Sequence, residues 1–200
     1  MPRVPQEHTD ARRRQILDAA RRCFAANGFH ATSMQDLLGA MGISAGAFYR
    51  YFSGKDELIT AIAEETIARS AEDLARYFAQ EPLPPLPELL SGVPSAPIAP
   101  MLDDETQDVL LQIWSESMRS PRLRASIQVG FTRLLGLLTE LMGRYRDRGE
   151  LPPDADLAAC ARAVVGLIQG YVLQRSVFDL DDPAPFSDGL RTLLTPRPPA

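Results

Sequence analysis

The residues best suited to bind an anion lie together in residues 32–55, which read TSMQDLLGAMGISAGAFYRYFSGK. Arg50 and Lys55 carry positive charge there, and Tyr49 and Tyr51 carry phenolic hydroxyls that can donate hydrogen bonds to phosphate oxygens. Nowhere in the sequence do a nucleophile, a base and an orienting group form a catalytic motif, and no glycine-rich phosphate loop or metal-ligand spacing occurs. The stretch therefore predicts recognition of an anionic partner rather than catalysis.

Two short helices are predicted to carry these residues. The stretch contains a residue that can cap a helix, then a residue that ends one, and then a second capping residue. Ser33 can cap a first helix, and Asp36 three residues later nearly completes a capping box. Gly42 ends that helix, since glycine readily adopts the left-handed conformation of a helix C-terminus, and Ser44 can cap the next helix. Two short helices around a tight glycine turn are typical of a helix-turn-helix, whose second helix enters the major groove of DNA.

The second helix has the side chains that this geometry needs. Its first three positions, residues 45–47, are small and would let the helix sit deep in a groove. Phe48 and Phe52 are four residues apart and are predicted to face inward, which leaves residues 49–51 outside. The alternative is a helical hairpin that merely exposes an arginine and two tyrosines. The predicted DNA contacts are Thr32, Ser33, Ser44, Ala45, Gly46, Ala47, Tyr49, Arg50, Tyr51 and Lys55.

Two runs in the N-terminal part carry a family resemblance. The run GISAGAFYRYFSGKDEL, residues 42–58, resembles the recognition-helix signature of TetR-family transcription regulators. The run ILDAARRCFAANGFHATSMQDL, residues 16–37, resembles the first helix of that family and its link to the second. The resemblance covers about residues 10–60, and beyond it only chain length and helical character match. It implies a DNA-binding head followed by a helical domain that binds a ligand and dimerises.

Charge is distributed unevenly along a chain that is acidic overall, at −5. Residues 1–55 hold eight basic and four acidic residues, a net charge of +4, whereas residues 56–200 carry −9. A basic head on an acidic body is the pattern of a protein whose head alone touches nucleic acid. Cys23 and Cys160 lie far apart in helical patterns, so we expect buried free thiols in a reducing compartment rather than a disulfide.

The predicted fold class is all-α. A three-helix helix-turn-helix DNA-binding domain is expected at residues 1–55, and a helical effector-binding and dimerisation domain at residues 56–200. A loose arm is expected at residues 1–8 and a disordered proline-rich tail at the end. Seven prolines between residues 82 and 100 exclude a long helix, so a surface loop is favoured over an irregular pocket wall, with a short helical piece at 87–90 as a further alternative. Helices are predicted at about 10–27, 56–79, 103–119, 121–148, 154–178 and 186–194.

Two further sites are predicted in the helical body. The helix at 154–178 has a stripe of small residues that lets a partner backbone approach closely, and the helix at 121–148 has two apolar stripes. The predicted dimer interface is Leu134, Leu138, Leu141, Ala159, Ala163, Gly166 and Gly170. An effector pocket is expected among the helices at 56–79, 103–119 and 121–148. Its predicted liners are Phe78, Leu110, Trp114, Met118, Phe131 and Tyr171, although Trp114 and Phe131 fit an ordinary core equally well.

The predicted function is a sequence-specific DNA-binding transcriptional regulator, a repressor released from a palindromic operator by a small, mostly apolar ligand. One alternative is an all-helical small-molecule carrier or catalytic dimer whose helix-turn-helix is incidental, and another is an effector-independent regulator or an activator. No apolar run reaches the ~18 residues of a membrane span and no signal peptide is recognised, so a cytoplasmic homodimer without a membrane partner is expected. No metal or cofactor is expected, because His8 and His30 are scattered.

Overall fold

The computed structural model describes residues 6–96 and 103–195, with side chains from residue 9 onward. Every regular element in these ranges is helical, which confirms the predicted all-α fold class. The helices are α1 (Gln6–Asn27), α2 (Met34–Met41), α3 (Ala45–Phe48), α4 (Lys55–Phe78), α5 (Leu86–Gly92), α6 (Asp104–Ser117), α7 (Pro121–Asp147), α8 (Leu157–Phe178) and α9 (Pro183–Leu194), and a 3₁₀ turn (Val93–Ser95) follows α5.

The ends of the helices lie near their predicted positions. Helix α1 begins at Gln6, so part of the predicted loose arm is helical, and it ends before Gly28, which has a φ of +80°. Helix α8 begins later than predicted, because Asp156 accepts hydrogen bonds from the backbone N–H groups of Ala158 and Ala159 and so caps it. The first five residues and the proline-rich tail from residue 196 lie outside the described residues.

The chain packs as two compact units. The first combines residues through Ile67 with Asp104–Ile127, and the second combines Ala68 through Asp103 with the residues from Gln128 on. Helix α6 therefore packs with the N-terminal helices, although it was predicted to line the effector pocket of the second domain. The boundary at residue 55 between a DNA-binding and an effector-binding domain remains a prediction, since the packing units divide the chain after Ile67 instead.

In the first unit, α1 packs against both α2 and α6 around one apolar core. Phe24 of α1 and Phe29 of the following turn meet edge to face, with ring centroids 5.0 Å apart. The core positions below 3% exposure are Ile16, Leu17, Ala20, Phe24, Leu37, Phe48, Phe52, Leu58, Ile62, Ala63, Val109, Ile113 and Leu123. These residues come from six helices and the turn after α3, so α2 and α3 pack against one common hydrophobic core.

In the second unit, the described part of the proline-rich segment is ordered, which corrects the favoured prediction of a surface loop. Proline is accepted in the first turn of α5, where its missing N–H costs nothing, and Leu89, Leu90 and Val93 are buried. Tyr77 donates a hydrogen bond to the Leu89 carbonyl at 2.8 Å, and Tyr145 donates one to the Pro84 carbonyl at 2.8 Å. The alternative of a short helical piece is therefore confirmed. Residues 97–100 lie outside the described residues.

Helix α8 is long and apolar enough to cross a membrane by length and composition, with a mean hydropathy of 1.4 over its best window. The expectation from the sequence concerned an uninterrupted apolar run of about 18 residues, and Arg162, Gln169 and Gln174 interrupt the apolar residues of this helix. Core helices of soluble proteins pass the same test, and α8 carries Arg162 and Arg175 along its length. Cys23 and Cys160 are free, as predicted, but both are half-buried rather than buried.

Candidate nucleic-acid interface

The α2–turn–α3 segment is built by local hydrogen bonds of the predicted kind. The Ser33 hydroxyl accepts from the Asp36 N–H, and the Asp36 carboxylate accepts from the Ser33 N–H at 2.9 Å, which completes a capping box. Gly42 has a φ of +62°, the left-handed conformation that ends α2. Ser44 then caps α3 by accepting from the Ala47 N–H at 3.2 Å. The Ser33 hydroxyl and, to a smaller extent, the Ser33 N–H donate to the Asp36 carboxylate and hold the pKa of Asp36 below its usual value.

Two phenylalanines anchor the second helix of the motif to the core. Phe48 is fully buried and Phe52 is 2% exposed, and their rings stack with centroids 5.8 Å apart. The Arg13 guanidinium of α1 lies 5.2 Å from the centre of the Phe52 ring, which places a positive charge beside the motif. Both rings face inward as predicted. Tyr49 and Arg50 between them are exposed, whereas Tyr51 packs partly against the same core.

The outward surface of α3 has small side chains, and the turn that follows α3 is rich in hydrogen-bond donors. Ala45 and Gly46 are exposed, and a Cβ added at Gly46 would meet nothing within 4 Å. Tyr49 is 57% exposed and Arg50 is exposed, whereas Ala47 and Tyr51 are half-buried. This surface has room for a close approach at one end, with a phenol and a guanidinium at the other.

Thr32, Ser33 and Lys55 are engaged within the head itself. The Thr32 side chain is 1% exposed and donates to the Gly28 carbonyl at 2.7 Å, so it has no surface to offer DNA, which corrects its assignment as a contact. The Lys55 ammonium donates to the Thr32 carbonyl at 2.6 Å. It keeps two further N–H groups, because an ammonium has three donors. The Ser33 hydroxyl also donates to Asp36 at 2.6 Å.

Comparison with known proteins decides the family. Residues 16–62 match the family model of bacterial regulatory proteins of the tetR family, and residues 97–194 match that of the C-terminal part of BetI-type transcriptional repressors. The chain belongs to the TetR family. The predicted resemblance and the predicted function as a DNA-binding transcriptional regulator are thereby confirmed. TetR proteins form a family of regulators rather than of enzymes.

Relatives of this chain along nearly its whole length are also TetR-like regulators. The transcriptional regulator UidR of Escherichia coli K12 is 29% identical over 189 residues, which is 94% of each chain. The structure of Salmonella enterica GusR is 28% identical and superposes with a TM-score of 0.74, covering 92% of this chain and 93% of that one. The regulator FadR of Bacillus subtilis, solved with stearoyl-CoA, is 22% identical with a TM-score of 0.72, covering 90% and 96%, and shares the fold.

Gln112 of α6 is a residue of this TetR-family head that sequence reasoning missed. Its side-chain oxygen accepts from the Phe29 N–H at 2.8 Å, and its nitrogen donates to the Phe24 carbonyl at 3.0 Å. One amide therefore ties α6 to the end of α1 and to the turn that leads into α2. Beside it, the Glu116 carboxylate lies 2.8 Å from the His30 ring nitrogen. A glutamine in an amphipathic helix gives no sequence signal of such a role.

The predicted effector residues do not come together as one cluster. Trp114 packs against the core of the first unit, Leu110 is buried on α6 but does not belong to that core cluster, and Met118 beyond the end of α6 is 71% exposed. In the second unit, Phe78 lines an apolar groove of about 200 Å³, with leucines of α7 as its other wall. Tyr171 lines a separate cavity between α8 and α9. Phe131 is 39% exposed and lines neither.

The predicted dimer residues divide into two groups. Leu138 and Leu141 are 1% and 5% exposed and line the Phe78 groove of their own chain, so they have almost no surface left for a partner, and their assignment to an interface is corrected. Leu134 lines the same groove and is half-buried. The small stripe of α8 is outward-facing: Ala159, Ala163 and Gly166 are exposed and Gly170 is half-buried.

Proposed function

We propose that this TetR-family protein is a cytoplasmic repressor that binds a palindromic operator as a homodimer and leaves it when a small, mostly apolar ligand binds. The observation that carries the proposal is the exposed surface formed by the small residues of α3 and by Tyr49 and Arg50 in the turn that follows it, held on two buried phenylalanine rings. A rigid, exposed helix of this kind fits the major groove, and nothing in the core of the unit requires its polar groups.

We further propose that some of the outward residues contact DNA phosphates and others contact the bases. Tyr49 and Lys55 hold phosphates, with Ser33 and Tyr51 beside them, because their donors lie at the rim of the exposed surface. Ala45, Ala47 and Arg50 lie where base edges are read, and Gly46 and Ser44 allow close approach. Arg50 has the strongest chemistry for direct reading, since a guanidinium binds guanine through two hydrogen bonds.

The proposed dimer interface is the outward face of α8. The stripe Ala159, Ala163, Gly166 and Gly170 continues at the same spacing to Leu173, which is 45% exposed, and Val177, which is 53% exposed. Added Cβ atoms at Gly166 and Gly170 would meet nothing within 4 Å in the described chain, so an intramolecular neighbour does not explain these glycines. A second copy of α8 would explain both the glycines and the apolar surface, in a crossing that buries the same patch from each subunit.

The proposed effector site is the apolar groove beside Phe78. Its described volume of about 200 Å³ suits part of a hydrocarbon ligand. The Arg144 side chain at its edge pairs with Glu81, so a terminal anionic group of the ligand would have to replace that carboxylate. The fold neighbour FadR carries stearoyl-CoA, an acyl chain with an anionic head, which agrees with this chemistry without identifying the ligand of this chain.

We propose that α6 transmits the ligand signal to the head. It packs in the first unit through Val109 and Ile113, and Gln112 bonds directly to the α1–α2 junction. A ligand that favours a displaced α6 would break or strain these bonds and change the orientation of α2 and α3. The ligand must bind the displaced state more tightly than the DNA-bound state, because it cannot shift the equilibrium otherwise.

The test is a mobility-shift assay on the DNA upstream of the coding sequence, with and without fatty acids, acyl-CoAs and n-alkanols of 6–18 carbons. We expect a retarded complex that at least one compound of this series dissociates, and the same compound should raise the melting temperature of the free protein. A complex that none of these compounds dissociates would favour an effector-independent regulator. Absence of any complex, with compounds still bound, would favour a carrier or catalytic dimer with an incidental helix-turn-helix.

A further inference from the structure

Three consecutive arginines lie in the first half of α1, and none of them is among the proposed DNA contacts. Arg12 donates a hydrogen bond from Nη1 to the Gln15 side-chain oxygen at 2.9 Å, and Arg14 donates one from Nε to the Asp10 carbonyl at 3.5 Å. Arg13 is exposed and makes no hydrogen bond or ion pair to any residue that the structure describes. Its N–H groups are therefore available to a partner.

Arg13 lies on the face of α1 that the core buries. Leu17, Ala20 and Phe24 follow it by four, seven and eleven residues, which is the spacing of one helix face, and each is at most 1% exposed. The N-terminal end of this face reaches Phe52 in the turn after α3, and the Arg13 guanidinium carbon lies 5.2 Å from the centre of that ring. The packing of α1 thus brings Arg13, of the three arginines, beside the end of the exposed α3 surface.

The Phe52 ring holds this guanidinium in place without neutralising it. A planar guanidinium rests on an aromatic face and keeps its N–H donors, whereas a salt bridge to a carboxylate would occupy them. Phe52 is 2% exposed and stacks on Phe48, so its ring is a fixed platform. An arginine that is already held in this way loses less conformational freedom on binding an anion than a freely moving side chain loses.

The charge of Arg13 also acts on the first turn of α4. The Glu57 carboxylate accepts from the Ser53 hydroxyl at 2.6 Å and from the Ser53 N–H at 2.7 Å, and these bonds hold the pKa of Glu57 below its usual value. The positive charges of Arg122 and Arg13 lower that pKa further. Among the described residues no ion pair joins Glu57 to Arg13, so Glu57 attracts the guanidinium without occupying its donors.

We infer that Arg13 is a phosphate contact of the DNA interface, held over the Phe52 ring so that its guanidinium binds the DNA strand beside α3. The inference rests on the proposed binding of α3 in the major groove. A helix in that groove has a phosphate strand on each side, and half or more of the hydrogen bonds in protein–DNA interfaces go to phosphates and sugars. The guanidinium can donate two parallel hydrogen bonds to one phosphate. Arg13 adds a second cation to the phosphate contact proposed for Lys55.

The experiment measures the DNA affinity of the full-length protein by fluorescence anisotropy at salt concentrations from about 50 to 200 mM. Two labelled duplexes are compared, one of the upstream DNA and one of unrelated sequence. Arg13→Gln should bind both duplexes about tenfold more weakly, because charge-assisted bonds to phosphate are lost and phosphate contacts carry no sequence information. The slope of log affinity against log salt should become smaller by about one for each subunit that contacts DNA.

Arg12→Gln and Arg14→Gln are the matched controls, because each removes the same charge from the same part of α1 on a different face. They should weaken binding by less than about twofold, since salt screens a charge that does not touch DNA. Arg13→Lys should keep most of the salt slope but bind more weakly than the wild type, because an ammonium lacks the planar fork that rests on Phe52. If Arg13→Gln binds as well as the two controls, or loses affinity for the upstream DNA alone, the inference is overturned.

Arg13→Met separates a contact with DNA from a structural role. Methionine keeps an apolar contact with the Phe52 ring and removes the charge, so a phosphate contact predicts the same loss of affinity and slope as in Arg13→Gln, with a melting temperature close to that of the wild type. A loss of melting temperature and affinity together at an unchanged salt slope would assign Arg13 to the fold of the head and overturn the inference.

The duplex of unrelated sequence distinguishes this inference from the proposed ligand-released repression. Binding to that duplex needs neither an operator nor a ligand, so the comparison of Arg13→Gln with its controls keeps its meaning if the ligand response fails. A wild-type protein that binds neither duplex would overturn this contact together with the proposed binding of α3 to DNA.

Discussion

Replacing Gln112 with methionine tests whether α6 holds the DNA-binding head in place. Methionine keeps the length of the side chain and removes both polar atoms. The Phe29 N–H would lose its acceptor, whereas the Phe24 carbonyl would keep a partner, because it also accepts from the Gly28 N–H at 2.7 Å. The two losses therefore differ: an unsatisfied buried N–H costs about 1–3 kcal/mol, and the second hydrogen bond contributes about 0.5–1.5 kcal/mol.

The expected total is a loss of about 1.5–4.5 kcal/mol in the free energy of unfolding, or roughly 3–18 °C in melting temperature. Urea denaturation followed by circular dichroism measures the first quantity, and fluorescence anisotropy with labelled operator DNA measures the consequence for binding. We expect the variant to bind the operator more weakly. The ligand should also change the operator affinity of the variant less than that of the wild type, because the hydrogen bonds of Gln112 that a displaced α6 would break are already absent.

Gln128→Met is the matched control, because Gln128 is an exposed glutamine of α7 whose side chain makes no hydrogen bond to a described residue. It should leave stability, operator binding and ligand response unchanged. If Gln112→Met unfolds within about 0.5 kcal/mol of the wild type and responds normally to ligand, the proposed coupling through α6 is refuted.

The remaining predictions concern DNA contacts, the dimer and pH. Lys55→Ala should weaken binding to all DNA sequences alike and reduce the slope of log affinity against log salt by about one; a changed sequence preference in a selection experiment would contradict its phosphate role. Arg50→Ala should change that preference, and identical selected sites would count against base reading. A Cβ added at Gly166 would meet nothing within 4 Å among the described residues, so Gly166→Leu should lower the dimer fraction and operator affinity together in analytical ultracentrifugation and anisotropy; a stable dimer would remove the small stripe from the interface. The pKa of Asp36 is lowered in the folded head, so its contribution to stability is present above its unfolded value near 3.8 and is lost as pH falls through the folded value. In Asp36→Asn, the free energy of unfolding should lack this decrease at acidic pH. If the variant lost stability at acidic pH as the wild type does, the bonds between Asp36 and Ser33 would not be the source of that dependence.

The features that the sequence predicted well are those set by neighbouring residues. The capping box at Ser33, the left-handed Gly42 and the cap at Ser44 each depend on residues within four positions, so a reader of the sequence can place α2 and α3. Phe48 and Phe52 follow from helical spacing alone. The same is true of the outward stripe of α8, which the four-and-three spacing of its small residues reveals.

The features that escaped prediction depend on contacts between residues distant in sequence. Gln112 meets Phe24 and Phe29 across more than eighty residues, and its side chain has no distinguishing local pattern. Thr32 looks like an exposed cap in the sequence, but the fold buries it beneath Lys55. The proline-rich segment folds because Tyr77 and Tyr145 satisfy its carbonyl groups, and tyrosines elsewhere in the chain cannot be assigned to such partners in advance.

The most direct test of the central claim is a hydroxyl-radical footprint of the full-length protein on its own upstream DNA. The account predicts two protected half-sites related by inverted repeat, with their centres about 10 base pairs or a multiple of that apart, because a two-fold dimer places one α3 in each of two major grooves on the same side of the duplex. Arg50→Ala should weaken protection of the sugar–phosphate backbone in both half-sites, because the protein would bind its operator less tightly. A single unrepeated protected site, or uniform protection that does not depend on sequence, would contradict the account.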